Sequence, residues 1–266
     1  GHWNDLGAFY GVNNTLENLK KFFPQIHINE KNDFDVEEKL NTSLQVSKFP
    51  IHEYEPLFIP HYTLLDLSEE YQDEVQIDSQ HRTFLYQINE NEKANGSPKA
   101  LVFQGSYINQ MGYKFFANSL GEYIAIHNYQ NVINFDYYFN LFQPECVIFE
   151  VAEYTITDSY FDYEKMLNMN LNPVITSFDD LDVEEHSINE CIIEKEKKEK
   201  TSVVTIKGLP ENMQYVYLQS EKGEIFDLKL GQDSDDYSVT LDNKVNINNL
   251  KVIAIDEDSG KKVVYE

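Results

Sequence analysis

Between Lys99 and Glu153 three short apolar runs alternate with two segments of helical spacing, and this alternation limits the fold more than any other feature of the chain. KALVFQG (99–105), EYIAIH (122–127) and ECVIFEVAE (145–153) have strand length and composition. NQMGYKFFANSL (109–120) and NFDYYFNLFQ (134–143) repeat apolar residues at helical intervals, the second closed by Pro144. Strands joined through helices pair in parallel and have both faces covered. The expectation is therefore an α/β fold, a three-layer sandwich around a parallel sheet. YFDYEKMLNM (160–169) predicts one more helix.

The flanking regions read differently. Leu6, Phe9, Val12, Leu16, Leu19 and Phe23 recur at helical spacing and predict a first helix that stops at Pro24. Residues 25–95 are rich in Asn, Asp, Glu and Tyr and are interrupted by Pro50, Pro56 and Pro60. They read as long connections with one or two strands, TFLYQIN (83–89) being the clearest. After Pro173, SFDDLDVEEHS lacks apolar periodicity and reads as a linker, and EKEKKEK (194–200) as a solvated face. The remainder is a succession of short strands. SEKGE and DEDSGKK are hairpin connections, and INECIIEKE (188–196) is a candidate first strand. Two domains follow: 1–175, and a small all-β sandwich at 185–266. At 266 residues the chain is long enough for each to bury a core.

Composition narrows the partners. Forty-six acids stand against twenty-one bases, Arg82 being the sole arginine, for a net charge of −25. Nucleic acid and anionic membrane surfaces need clustered positive charge and are poor partners. Neutral glycans, peptides and small molecules remain. Cys146 and Cys191 are too few for a disulfide framework and lie at no metal-ligand spacing, so no metal and no cofactor is expected. No apolar run reaches membrane-spanning length, and none reads as a signal peptide, so no membrane insertion is expected within this chain.

In an open α/β sheet the ligand crevice lies beyond the carboxyl ends of the strands. KALVF runs into QGSY and then a helix, so Ser106 sits on a strand-to-helix turn that Gly105 keeps tight. Two readings stand. Ser106 is an ordinary helix cap, or it is a nucleophile whose oxyanion the helix-start amides would stabilise. Asn109, in the first turn, is a candidate oxyanion donor or an exposed residue. A nucleophilic serine needs a base. His27, His52, His61 and His81 show no paired spacing and read as surface or satisfied core residues. Glu150 and Glu153 end a strand near the expected crevice and are candidates to orient a histidine or to make a structural link. The many Tyr and Phe side chains would serve a sugar-binding face or, more simply, an aromatic core.

The N-terminus opens GHWNDLGAFYG, with the chain's only tryptophan third. One reading is that Trp3 simply docks the first helix with His2 a bystander. The order of features supports another. His2, Trp3, Asn4, Gly7 and Ala8 before a helix, then VFQGSY with Ser106, then a helix, Pro144, an apolar strand and a Glu-x-x-Glu ending, resembles the SGNH hydrolase-like family related to alginate O-acetyltransferases. The resemblance spans residues 1 to about 170, around the variable stretch 25–95. Gly105 stands where that family often has Asp, and Tyr107 where it often has Phe.

The resemblance implies an SGNH or flavodoxin-like three-layer sandwich with a parallel sheet. It implies a Ser106 nucleophile with His2 as base, in a Ser-His-Asp triad whose acid lies one position upstream of Gly1. It also implies that the chain is an N-terminally truncated member with little turnover of its own. Gly105, Asn109 and Trp3 would bind substrate or oxyanion. The implied activity is acyl (acetyl) transfer or ester hydrolysis on an extracellular or cell-envelope polysaccharide, with an acyl donor as second partner. The tail would be an Ig-like or carbohydrate-binding-like accessory module. A non-catalytic glycan-binding or envelope-assembly protein is the rival reading.

Overall fold

The computed structural model describes all residues except 1–2, 43–48, 72–74, 76–82, 128, 158–160, 162–171, 173–174, 232–233 and 247. The chain forms two compact units. The first is Gly1–Glu69, Ile77–Ile133 and Pro144–Leu167; the second is Glu70–Gln76, Asn134–Gln143 and Asn168–Glu266.

In the first unit, helix α1 (Asp5–Leu19) starts where the Asn4 side chain accepts the Gly7 N–H at 3.0 Å. Ala8, Phe9, Val12 and Leu16 give it a buried stripe. Strands β1 (Phe34–Asn41) and β2 (Glu53–Pro60) form an antiparallel two-stranded ribbon. A second sheet has the order β3-β4-β6-β5-β7, from β3 (Leu64–Asp66), β4 (Phe84–Asn89), β5 (Lys99–Gln104), β6 (Glu122–His127) and β7 (Cys146–Phe149). In it β5 is parallel to both β6 and β7, while β3 and β4 add antiparallel strands at one edge. After β5 the chain is helical from Ser106, passing through a π-helical turn, Ile108–Gly112, into α2 (Tyr113–Ser119). One core joins α1, α2, the ribbon's Phe34 and Phe58, and the sheet face carrying Ala100, Val102, Tyr123 and Ala125. Phe9, Phe34, Phe58 and Phe115 meet at its centre, with ring centroids 5.2–6.4 Å apart.

The second unit holds α3 (Phe135–Phe142), closed by Gln143 in the left-handed region, and two sheets. The four-stranded order is β13-β14-β10-β9, the five-stranded order β12-β11-β15-β16-β8. The strands are β8 (Val183–His186), β9 (Ile192–Lys197), β10 (Thr201–Lys207), β11 (Met213–Gln219), β12 (Ile225–Asp227), β13 (Lys229–Leu230), β14 (Tyr237–Asp242), β15 (Lys251–Asp256) and β16 (Lys262–Tyr265). The chain crosses from one sheet to the other at buried Leu228, and the Tyr237 hydroxyl donates to the Met213 carbonyl at 2.8 Å between them. The β11–β12 and β15–β16 hairpins turn at SEKGE and DEDSGKK.

The expected SGNH or flavodoxin-like three-layer α/β sandwich does not form. Four sheets, mixed and antiparallel, carry the fold among the described residues, with three helices of 15, 7 and 8 residues. Two physical causes account for this. The two described helices of the first unit, α1 and α2, share one core on a single face of the mixed sheet. The region 25–95, read as long connections with one or two strands, supplies four, β1 to β4, of which the expected TFLYQIN is β4. Pro56 and Pro60 sit in β2 of the exposed ribbon, where a missing N–H is tolerated. The acidic stretch read as a linker holds β8, which pairs in parallel with β16. The helix expected at 160–169 lies, except for Phe161, outside the described residues.

Candidate functional site

β5 lies between β6 and β7, so the connection leaving β5 runs to one neighbour and the chain then returns to the other. Such a reversal of strand order opens a crevice at the carboxyl ends of the two strands concerned. Here these are β5, which ends in Gln104-Gly105-Ser106, and β7, which ends at Phe149-Glu150.

Glu150 closes that crevice. Its carboxylate accepts the N–H of Gly105 in a very short hydrogen bond and also the N–H of Ile108. Burial pushes the Glu150 carboxyl above the usual glutamate range, opposed by those two N–H groups. A Cβ on residue 105 would stand 2.8 Å from Glu150 Oε2, so a side chain there would push the carboxylate aside. The helix-start amides proposed for an oxyanion thus hold an internal carboxylate.

Ser106 is half-buried at the first helical position, and the π-helical turn follows directly. π-helical turns widen a helix locally and recur at functional sites. Asn109 is also half-buried. Its N–H donates to the Gly105 carbonyl at 3.0 Å, and its Oδ1 accepts from Gln104 Nε2 at 3.1 Å. The buried Gln104 side chain accepts from the Tyr123 hydroxyl at 2.8 Å. Burial holds the Tyr123 hydroxyl well above its usual range, with Tyr62 and Glu150 adding to the shift.

The N-terminal stretch reaches the same place. The Trp3 ring stands edge-on to the Tyr107 ring with centroids 5.3 Å apart. It lies along α1 over Gly7 and Gly11, where a Cβ on Gly11 would come within 2.6 Å of it. His2 lies outside the described residues, so its relation to Ser106 is not among the observed contacts. Trp3 and Tyr107, the chain neighbours of His2 and Ser106, do meet.

The other candidates separate from this crevice. Glu153 is exposed in a short 3-10 turn. His27 Nε2 lies 2.7 Å from buried Asp33, His61 pairs with Asp35 at 3.0 Å, and His52 meets the Tyr54 ring. His81 lies outside the described residues. His127 was missed. It ends β6 directly opposite Gln104, it is buried, and its Nδ1–H donates to the Gln104 carbonyl at 3.0 Å. A carbonyl only accepts, so Nδ1 carries the hydrogen and Nε2 is the basic position of the neutral ring. Its place at the end of the parallel strand next to β5 was the available signal.

Among the described residues no group of three His, Cys, Asp or Glu is placed to hold a metal ion, and no helix is long and apolar enough to cross a membrane. In the second unit a cleft of about 460 Å³ lies on the five-stranded sheet, with Ile225, Ile253 and Val264 as its floor and Lys251, Lys262 and Glu266 among its polar lining. Its lining among the described residues is aliphatic, polar and charged. Comparison with family models, with curated proteins and with solved structures finds no match to this chain.

Proposed function

We propose that the crevice between the ends of β5 and β7 carries out acyl-ester chemistry, with Ser106 as nucleophile and His2 as base. The observation that carries this reading is the contact of Trp3 with Tyr107. It joins two stretches about a hundred residues apart in sequence, and the histidine and the serine are the sequence neighbours of the two rings. In the reaction the Ser106 hydroxyl adds to the ester carbonyl while its proton passes to the imidazole. The alcohol leaves with that proton, and an acyl-serine remains. Water or an acceptor hydroxyl then takes the acyl group, giving hydrolysis or transfer. An ester of a neutral glycan is among the substrate classes that the strongly acidic chain leaves open.

A specific observation favours a second reading, that of a non-catalytic binding protein. The N–H groups of Gly105 and Ile108 already serve Glu150 and would have to be released before an oxyanion could use them. An aryl acetate separates the two readings. Acetyl transfer predicts an acetyl group on Ser106 by mass spectrometry, and no label there in Ser106→Ala. A chain that stays unlabelled at Ser106 while retaining an oligosaccharide on an affinity column establishes the binding reading instead.

A further inference from the structure

Strand register fixes the layout of the cleft on the five-stranded sheet of the second unit. Val264 stands opposite Ile253 on β15 and opposite Glu185 on β8, so an aliphatic row ends in a carboxylate at the edge of the sheet. Lys262, two residues before Val264 on β16, shares that face, because alternate residues of a strand point the same way. The short 3-10 turn Ile175–Phe178 supplies another side of the cleft. Phe178 stacks on Tyr215 with centroids 5.7 Å apart, and Ile175 and Thr176 join the lining. A volume of about 460 Å³ lies within the range of small-molecule sites.

Two charged groups of this lining have no close partner among the described residues. The Lys262 side chain is only 16% exposed, yet its nearest carboxylate there, Asp179, is 3.6 Å away and 67% exposed. An ammonium so far withdrawn from water is stabilised by a closer anion. Glu185 is exposed and makes no ion pair among the described residues. Lys251, by contrast, is held by Glu266. Because Lys262 stands opposite Val183, Glu185 and Lys262 are diagonal neighbours across β8 and β16. One cation and one anion a single step apart, beside an aliphatic row, complement a carboxylate and an ammonium carried on one carbon with an aliphatic chain. A plain carboxylate would add negative charge to a lining that already holds Asp179, Glu185 and Glu266 against two lysines.

We infer that this cleft binds a free α-amino acid with an aliphatic side chain, its carboxylate on Lys262, its ammonium on Glu185 and its side chain over Val264 and Ile253. The inference is independent of the chemistry at Ser106. The probe is L-leucine, titrated into the full chain and followed by NMR at the Val264 and Ile253 methyl groups. Isocaproate, which is leucine without the ammonium, and isoamylamine, which is leucine without the carboxylate, are the controls. Leucine should shift both sets of methyl signals, and each control should bind more weakly. This comparison uses the unaltered chain and needs no variant to fold. Lys262→Met keeps the alkyl stem and should weaken leucine binding about tenfold or more, with the circular dichroism spectrum kept. Glu185→Gln should abolish the preference for leucine over isocaproate. Three results would overturn the inference. Leucine leaves the methyl signals unmoved, isocaproate binds the unaltered chain as tightly as leucine does, or folded Lys262→Met binds leucine undiminished.

Discussion

The indole of Trp3 stands edge-on to the phenol of Tyr107, at an interplanar angle of 71°, and rests along α1 on a strip left open by Gly7 and Gly11. The ring links the start of α1 to the start of the Ser106 helix.

That seat makes a testable distinction between two glycines of one helix. A methyl group on Gly11 would come within 2.6 Å of the indole, whereas one on Gly7 meets Trp3 Cβ at an ordinary 3.4 Å. Gly→Ala in a helix interior stabilises by about 1 kcal/mol when nothing is displaced. Gly7→Ala should therefore raise the unfolding midpoint and leave tryptophan emission unchanged. Gly11→Ala should dislodge the ring and shift its emission to the red, with little or no gain in stability. Equal emission spectra in the two variants would contradict the contact.

Glu150 gives a pH-dependent signature. Its native pKa is raised mainly by burial. The native state therefore holds the proton more tightly than the unfolded chain, and this contribution to stability is complete below the unfolded value. It is lost as pH rises through the native value. Glu150→Gln removes the titration, so the stability of wild type relative to this variant should fall on going from acid toward neutral pH. Urea unfolding at a series of pH values measures the difference. A difference that grows with pH would mean that the amides of Gly105 and Ile108 outweigh burial.

What the sequence disclosed follows from how local each signal is. The Ser106 turn was legible because an apolar strand, a glycine and a helical repeat adjoin one another. The second unit's hairpins were legible because SEKGE and DEDSGKK separate alternating strands. The β1–β2 ribbon was not, since it buries only Phe34 and Phe58 at its root and so imprints no run of alternating buried positions, and its prolines resemble loop signals. The fold class failed for a related reason. Alternating strands and helices do not state on which face each helix lies, and α1 and α2 share one. Glu150 was visible as a strand end, but its hold on Gly105 depends on the parallel pairing of β5 with β7. His127 needed only the comparison of neighbouring strand ends.

In the second unit, His186 lies between two carboxylates, with Nδ1 3.0 Å from Glu190 and Nε2 3.2 Å from Glu184. Glu190 and then Glu184 raise the His186 pKa above its usual range. An NMR titration should place the His186 transition above that of a free histidine. Glu190→Gln should lower it, and by more than Glu184→Gln does. The attraction is present below the unfolded pKa and is lost as pH rises through the native one. A ring that titrates normally and is indifferent to both substitutions would show that solvent screens the pairs.

The buried pair Asp5–Lys114 joins the first helix to α2, with Nζ 2.5 Å from Oδ2 and both side chains largely out of water. It also anchors the ribbon through Phe58. Asp5 Oδ1, buried as well, has no hydrogen-bond partner among the described residues, so the carboxylate is only half satisfied. Buried pairs are weak contributors as pairs, because desolvation cancels much of the attraction, but removing one member leaves an uncompensated charge. Asp5→Ala should therefore cost about 3–5 kcal/mol in urea unfolding. It should also speed hydrogen exchange at the Phe58 amide, whose acceptor is lost. Adding Lys114→Met removes the stranded ammonium and should recover most of the stability, but the Phe58 amide should remain fast. A double variant no more stable than Asp5→Ala would show that the cost lies in the lost bond to Phe58 and not in the buried charge.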